Sequence, residues 1–404
     1  MTHPQTGGGQ SDSDGAALLD GSAWRDFCAR MSALGDLLLD PSFPGSDRDR
    51  AEGYRHLANQ LGGWLDHAVG STDPRHPLLF RHNDLVMRWG GPNVDQNARR
   101  ATIDGSGTYR LTGILHSCED FVLQVKGGEM HTGGSVIVGE ITGSDIGAGP
   151  GERLEILLSP EPQDGHWLKT DERVDTVHLR EYYFDWQAAE PATFVIERLD
   201  TLDEPTVPLT PARVAGMLER AASTIEQSIV YWRDYQEMLR AEGTLNAFSE
   251  PAAVAEGVQG LHYAHAFVRL TPDEALVCEV DPRQARAWDV QLYNRAWYES
   301  IDFPHRQTSL NHRLAAPSAD GLVRFVISAT DPGVPNWLDT EGREEVMSTS
   351  RWLHATTAPT ISNTVVPFAQ VRQALPQDTP RVTPEQRREQ VRRRASHVAW
   401  RFHT

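Results

Sequence analysis

A chain of 404 residues, of which 39% are hydrophobic and 23% charged, has the composition of an ordinary globular protein and suggests two or three domains. Its net charge of −18 disfavours nucleic acid as a partner, because phosphate contacts require clustered Lys and Arg. No apolar run approaches the roughly 18 residues of a membrane span, and residues 1–17 lack the apolar core of a secretion signal. With three widely spaced cysteines, the sequence predicts an acidic, cytoplasmic protein with no membrane partner and no disulfide framework.

The N-terminal part of the chain predicts a disordered tail over residues 1–20 and a helical segment over residues 21–82. Apolar residues recur at helical spacing along two stretches of this segment. Between the stretches, Ser46 is followed three residues later by Asp49, a spacing that is typical of a capped helix start. We therefore expect a helical hairpin that packs on the rest of the protein.

Residues 83–205 predict a first β region. Apolar residues alternate there, as in Phe121, Leu123 and Val125, and Gly, Pro and Asp interrupt the pattern about every ten residues. Short strands with regular turn signals favour a sandwich or a barrel over a parallel α/β sheet.

A long connecting helix is predicted over residues 206–245. Thr210 is a suitable N-cap, Pro211 suits the first helical position, and Gly243 follows the last residues of the apolar pattern. A helix of this length is long enough to join two halves of the protein.

A second β region is predicted over residues 246–380, and a basic helix over residues 381–404. The basic segment holds seven Arg and two Glu on an otherwise acidic chain. We expect this helix to pair with the acidic body or with a second subunit, which makes a homo-oligomer possible. The sequence contains no recognisable internal repeat.

Several runs of the chain are distinctive: Asn93–Asn97, Tyr109–Gly113, Trp167–Leu168, Arg180–Trp186, Trp288–Asn294, Arg306–Asn311, Asp331–Thr340 and Arg351–Trp352. Through these runs the chain resembles the bacterial family called domain of unknown function twelve-fourteen (DUF1214), over roughly residues 83–355. The resemblance implies jelly-roll-like β-sandwich regions and carries no established chemistry. Many relatives have a larger N-terminal partner domain behind a secretion signal, where this chain has two short helices, so roles of secreted relatives do not transfer.

Together with the pattern of elements, this resemblance predicts an α+β fold that is predominantly antiparallel β. Its jelly-roll-like β-sandwich regions are accompanied by an N-terminal helical hairpin, one long central helix and a C-terminal helix.

The loop Asp331–Trp337 is the most unusual local feature. Two prolines fix φ at their positions, and Gly333 permits backbone conformations that other residues avoid. A stiff loop that presents Asn336 and Trp337 suits the binding of a polar ring such as a sugar. The alternative is structural, with Trp337 covering the core and Asn336 closing a turn.

Polar residues near this loop complete a candidate site. Arg306 can hold a carboxylate or phosphate through two hydrogen bonds, although a buried Arg–Glu pair is an equally simple explanation. Carboxylates beside aromatic residues can have a raised pKa, which suits general-acid catalysis. The predicted substrate-binding residues are Arg306, Asn311, Asn336, Trp337, Arg351 and Asn294, and the predicted catalytic residues are Glu299, His312 and Asp185.

The chain has no Gly-x-Ser-x-Gly elbow, no Gly-x-Gly-x-x-Gly turn and no phosphate-binding Gly-Lys-Ser/Thr loop. No cofactor of these kinds is therefore expected. Asn93, Asp95 and Asn97 could offer oxygen ligands to calcium, but no EF-hand spacing follows them. His262 and His265 would point to opposite faces of a strand, so no metal is expected either. The favoured hypothesis is a cofactor-independent enzyme that uses acid–base chemistry on a small hydroxylated or anionic molecule, by hydrolysis, elimination or isomerisation. The alternative is a non-catalytic protein that binds a saccharide or another small ligand on a β-sandwich.

Overall fold

The computed structural model describes residues 8–70, 73–83, 85–254, 257–355, 357 and 359–403. Residues 1–7 of the predicted disordered tail lie outside this description. From Gly8 onwards the predicted tail is a helix, so the prediction of disorder is wrong there. The physical reason is packing, because Leu18 contacts the apolar core formed by the helices that follow.

The helices of the described chain are α1 (Gly8–Leu19), α2 (Ser22–Leu37), α3 (Asp47–Gly70), α4 (Pro211–Glu242), α5 (Val371–Ala374) and α6 (Pro384–Phe402). The predicted caps are present. Ser46 Oγ accepts a hydrogen bond from Asp49 N at 3.1 Å, and Thr210 Oγ1 accepts one from Arg213 N at 3.3 Å. Helices α2, α3 and α4 share one apolar core, so the predicted hairpin and the predicted connecting helix form a single layer.

The first β-sandwich follows α3. One sheet has the order β1-β2-β8-β4-β5 and the other has the order β7-β6-β3-β9. Apolar side chains from both sheets, including Leu111, Phe121 and Ile156, meet in one fully buried core. The strands are β1 (Phe80–Arg81), β2 (Gln96–Thr102), β3 (Tyr109–Ile114), β4 (Asp120–Glu129), β5 (Gly134–Thr142), β6 (Arg153–Ser159), β7 (Trp167–Lys169), β8 (Thr176–Tyr182) and β9 (Thr193–Arg198).

The second β-sandwich follows α4. Its sheets have the orders β10-β11-β17-β13-β14 and β16-β15-β12-β18, with a core that includes Leu276, Phe325 and Trp352. The strands are β10 (Ala252–Ala253), β11 (Leu261–Arg269), β12 (Glu274–Val280), β13 (Ala287–Asn294), β14 (Ser309–Asn311), β15 (Val323–Ser328), β16 (Trp337–Asp339), β17 (Glu345–Leu353) and β18 (Ser362–Pro367). The predicted α+β architecture with mostly antiparallel sheets is thereby confirmed.

The two sandwiches have the same topology, a repeat that is not recognisable in the sequence. Each strand from β1 to β9 has a counterpart nine strands later, with the same neighbours and the same strand directions, including the parallel pairs β6–β7 and β15–β16. Local contacts agree with this equivalence. Trp167 Nε1 donates to Ser159 Oγ at 3.1 Å, and Trp337 Nε1 donates to Ser328 Oγ at the same distance. The fold conserves pairing order while the side chains differ.

Helix α6 packs against the junction of the two sandwiches through buried arginines. Arg387 Nε lies 2.9 Å from an oxygen of Asp331, the guanidinium of Arg394 lies 4.2 Å from the ring centroid of Trp186, and Arg401 is 1% exposed. These three arginines of the basic segment therefore make their contacts within the chain. None of the helices in the described part of the chain combines the length and apolar composition that a membrane crossing requires.

Candidate functional site

A cavity of about 170 Å³ lies where the two sandwiches face each other beneath α4. Its walls come from the five-stranded sheet of each sandwich, from α4 and from the loop that leads into β2. The central strand of each sheet contributes one arginine, because Arg180 lies on β8 and Arg351 on β17. The cavity is thus built from corresponding parts of the repeated fold.

The loop that leads into β2 approaches the aromatic residues of the cavity too closely for any side chain. Gly90 and Gly91 have φ of 64° and 65°, a conformation that favours glycine. A Cβ on Gly90 would lie 2.7 Å from the ring of Trp232, and one on Gly91 would lie 2.3 Å from the ring of Tyr298. The two glycines therefore let the backbone form one wall of the cavity.

Three cations and one carboxylate form the wall contributed by the first sandwich. Glu129 makes an ion pair with Arg100 and accepts a hydrogen bond from Lys126 Nζ at 2.8 Å. Arg180 donates to the neutral Gln124 Oε1 at 2.6 Å. Among the side chains that line this wall, one carboxylate thus faces three cations. Two carboxylates outside the lining, those of Glu140 and Asp175, also attract the arginines. The lining itself carries an excess of positive charge that an anion could balance.

Burial and mutual charge shift the ionisation of this wall. Burial, together with the neighbouring charge of Arg100, lowers the pKa of Lys126 to about 8. Burial opposes ionisation of Glu129, but the positive charges of Arg100 and Lys126 outweigh burial and bring its pKa to about 2. Lys126 is therefore the cationic group of the wall whose proton can leave near neutral pH.

Three buried histidines surround the positive wall. Burial lowers the pKa of His131 to about 4 and takes the pKa values of His82 and His178 well below the ordinary value, so all three are neutral at pH 7. Nε2 of His131 and both ring nitrogens of His178 find no hydrogen-bond partner among the described residues. Within that same part of the chain, no three metal-ligating side chains are grouped as a metal site requires. These imidazoles are free to bind a polar ligand.

The wall from the second sandwich is electrically balanced. Arg351 lies 3.1 Å from Asp289 and donates to the carbonyl oxygen of Gly91 at 2.7 Å and to the hydroxyl of Tyr293 at 2.8 Å. Burial raises the pKa of Asp289 to about 7, although Arg351 opposes that rise. The guanidinium also lies 5.7 Å from the ring centroid of Tyr263. Arg351 therefore mainly fixes the loop and the sheet, with less charge left for a ligand.

Among the nine predicted site residues, Arg351 is the one that lines the cavity. Asn336 donates to the carbonyl oxygens of Ala316 at 2.7 Å and Arg324 at 2.9 Å, so its amide supports the loop. Trp337 is 7% exposed, so its ring is not available to stack on a ligand. In the structure both side chains of the Asp331–Trp337 loop make internal contacts, although Asn336 also lines a separate cavity of about 220 Å³. A ligand-binding role of the loop stays a prediction.

The other predicted binding residues make internal contacts. Arg306 is half-exposed and pairs with Asp339 at 2.8 Å and with Glu341 at 3.7 Å. Asn311 donates to Asp95 Oδ1 at 2.8 Å inside the junction of the sandwiches. Asn294 accepts backbone hydrogen bonds from residues 297 and 299 and so shapes a turn.

None of the three predicted catalytic residues lines the cavity, although His312 and Asp185 both lie beside Glu119. Glu299 is fully buried. Its carboxylate accepts a hydrogen bond from the guanidinium of Arg55 at 2.9 Å and another from Nδ1 of His56 at 2.8 Å. His312 packs against an aromatic ring, and burial lowers its pKa. Asp185 is exposed and accepts a backbone hydrogen bond in a turn. The structure does not bring these groups together at one site.

The cavity residues that sequence reasoning missed share a recognisable pattern. Gln124 and Lys126 alternate on β4, and His178 and Arg180 alternate on β8. Both strands lie inside their sheet, and one face of that sheet packs on the apolar core. Polar residues at alternate positions of such strands indicate that the opposite face is also buried and that it contacts water or a ligand. That signal was present in the sequence.

Comparison with known proteins places the chain in a family. The model of the family described as a protein of unknown function (DUF1214) matches residues 269–357. The crystal structure of an uncharacterized protein from Burkholderia cenocepacia is 30% identical and has a TM-score of 0.80, covering 88% of this chain and 100% of its own. The VPA0106 protein from Vibrio parahaemolyticus is 11% identical with a TM-score of 0.44, covering 77% of this chain and 98% of its own. No curated protein matches the sequence. Its motifs, its fold and its full-length similarity to a solved structure show that the chain belongs to the DUF1214 family.

Proposed function

We propose that this protein is a cofactor-independent enzyme that binds a small anionic molecule in the central cavity and transfers a proton there through Lys126. The observation that carries the proposal is that Arg100, Lys126 and Arg180 line the cavity together with one carboxylate, that of Glu129. Buried positive charge without matching negative charge is costly, and an anionic ligand would remove that cost.

The roles of the residues follow from their contacts. Arg180 and Arg100 would hold the anionic group of the substrate, since guanidinium groups bind carboxylate and phosphate through parallel hydrogen bonds. Lys126, with a pKa of about 8, would act as a base in its neutral form and as an acid in its charged form. Glu129 accepts a hydrogen bond from Lys126 and would keep its amine oriented towards the cavity.

The neutral histidines would supply polar contacts to the rest of the substrate. His178 has two unpartnered ring nitrogens among the described residues, one of which donates and one of which accepts in the neutral ring. Such groups suit a hydroxyl or carbonyl oxygen. The reaction class stays as predicted from the sequence, namely hydrolysis, elimination or isomerisation by acid–base chemistry.

Charge-neutral substitutions test the proposal directly. Arg180→Gln and Lys126→Gln should each weaken the binding of small carboxylates and phosphates at least tenfold in a calorimetric screen, because each removes one positive charge from the wall. Arg110→Gln is the matched control, since Arg110 lies on β3 of the opposite sheet and pairs with Glu197 at 2.9 Å. Unchanged anion binding in Arg180→Gln and Lys126→Gln would overturn the site assignment.

The non-catalytic alternative differs in one measurable respect. A binder needs the positive wall but no proton transfer, so it would hold the anion unchanged. Incubation of the intact protein with each anion that binds, followed by NMR analysis of the solution, separates the two, because NMR also detects an isomer of unchanged mass. Conversion that is lost in Lys126→Gln supports the enzyme, and unchanged ligand throughout supports the binder.

Self-association through α6 is a separate proposal. Trp400 is 71% exposed on the outer face of this helix, away from the buried arginines. If copies of the chain associate through this surface, Trp400→Asp should lower the molecular mass of the particles in solution, measured by light scattering. Equal masses would contradict association through this surface.

The cytoplasmic location of the protein stays a prediction from the sequence.

A further inference from the structure

Besides its positive wall, the cavity has a second part that is lined by aromatic side chains. Aromatic side chains reach it from separate elements: Trp89 from the glycine loop, Trp232 and Tyr235 from α4, Tyr263 from β11 and Tyr298 from the turn after β13. Several of these rings contact one another. The ring centroids of Trp89 and Trp232 lie 5.8 Å apart, and those of Tyr235 and Tyr298 lie 6.2 Å apart in a stacked arrangement.

This aromatic part differs from an ordinary apolar core because its polar atoms are left without partners. The indole N–H groups of Trp89 and Trp232 are buried and have no hydrogen-bond acceptor among the described residues. Buried indole N–H groups usually find an acceptor. Both tryptophans line the cavity, so a molecule in the cavity is well placed to provide that acceptor.

We propose that the ligand of the cavity is an aromatic acid, a planar ring that carries a carboxylate or phosphate group. This inference rests on the proposed function, since it assigns the charged group of the ligand to Arg100 and Arg180. It adds that the ring packs among Trp232, Tyr235 and Tyr298. Offset and edge-to-face contacts between aromatic rings favour a planar ring over an aliphatic group of the same size.

The volume of the cavity agrees with a single ring. An apolar cavity of roughly 150 Å³ accommodates benzene, and this cavity measures about 170 Å³. A single ring with one charged group therefore suits this space better than a fused ring system. The expected ligand is therefore one six-membered ring with one anionic substituent.

A ligand series on the unmodified full-length chain tests the inference. Binding of benzoate, phenyl phosphate, cyclohexanecarboxylate, acetate and phenol is measured by calorimetry at one pH and one salt concentration. Benzoate or phenyl phosphate should bind at least tenfold more tightly than cyclohexanecarboxylate, acetate and phenol. The better of the first two identifies carboxylate or phosphate as the charged group.

The possible results separate this inference from the proposed function. If cyclohexanecarboxylate binds as tightly as benzoate, the aromatic assignment is overturned while the anion site stands. If phenol binds as tightly as benzoate, the charged group contributes nothing and both proposals fail. Both also fail if none of the acids binds.

Substitution of the aromatic wall provides a second test. Trp232→Leu and Tyr235→Leu should each reduce the preference for benzoate over cyclohexanecarboxylate at least threefold. Trp24→Leu is the matched control, because Trp24 is 54% exposed on α2 and does not line the cavity. Tyr235 is half-buried, so its variant remains informative if loss of Trp232 impairs folding. An unchanged preference in Tyr235→Leu, with the control also unchanged, would contradict packing of the ligand ring at this wall.

Discussion

The buried histidines make the stability of this protein depend on pH in a way that one substitution can isolate. In the folded chain the pKa of His131 is about 4, below its ordinary value of 6.5, chiefly because the ring is buried. Arg100 and Lys126 lower this pKa further, and Glu129 partly opposes them. As the pH falls through 6.5, the unfolded chain therefore binds a proton that the folded chain does not.

The sign and size of the effect follow from this difference. The contribution of His131 to stability is fully present above pH 6.5 and is lost as the pH falls towards 4. At about 1.36 kcal/mol per pH unit, lowering the pH from about 7.5 to about 4.5 should cost about 2.5 kcal/mol through this one residue. That is a large part of the roughly 5–15 kcal/mol that stabilises a typical protein.

The assay compares unfolding free energies, obtained from urea denaturation, at the two pH values. His131→Gln cannot gain the proton, so this variant should lose about 2.5 kcal/mol less than the unmodified chain over the same interval. His166→Gln, at an exposed loop position, removes a histidine without changing a buried site and should follow the unmodified chain. If His131→Gln and the unmodified chain lose equal stability, His131 is not buried in its neutral form and the description of the cavity is wrong.

Three further predictions concern stability. Gly91→Ala forces a Cβ to within 2.3 Å of the ring of Tyr298 at φ of 65° and should lower the free energy of unfolding, measured by thermal denaturation, by roughly 3 kcal/mol. In contrast, Gly62→Ala on α3, where a Cβ meets nothing within 4 Å, should raise the free energy of unfolding by up to about 1 kcal/mol. Arg351→Met leaves the buried Asp289 without its partner and should cost about 3–5 kcal/mol; a variant that also carries Asp289→Asn should recover part of the loss, and no recovery would contradict the pairing. Trp337→Phe removes a buried indole donor and should cost about 1–3 kcal/mol without changing anion binding, while a loss of binding at unchanged stability would return the loop to the site.

The helices could be read from the sequence because their signals are local. Thr210 and Gly243 begin and end α4 as predicted, since a cap depends on residues within one turn of the helix. The alternating pattern likewise revealed two β regions. The repeat was missed because it lies in the strand order, which depends on long-range pairing.

The site was harder to predict for a related reason. Composition drew attention to the Asp331–Trp337 loop, but Trp167 in the first sandwich makes the same hydrogen bond to a serine as Trp337 does. The bond therefore belongs to the framework of the repeated fold. The polar pairs that include Lys126 and Arg180 indicate one buried polar face, but only the docking of one sandwich on the other brings Arg351 to the same cavity. No local pattern can show that convergence.

The position of the cavity between two repeated units affects how the protein responds to its ligand. A molecule that contacts Arg180 on one sandwich and Tyr263 on the other adds its binding free energy to the interface between them. Neither unit can bind on its own, because each supplies only one side of the cavity. Occupancy should therefore couple the two units thermodynamically, so that the ligand-bound chain unfolds in a sharper single transition than the free chain. In this fold a bound ligand would act as a cross-link between two copies of one architecture.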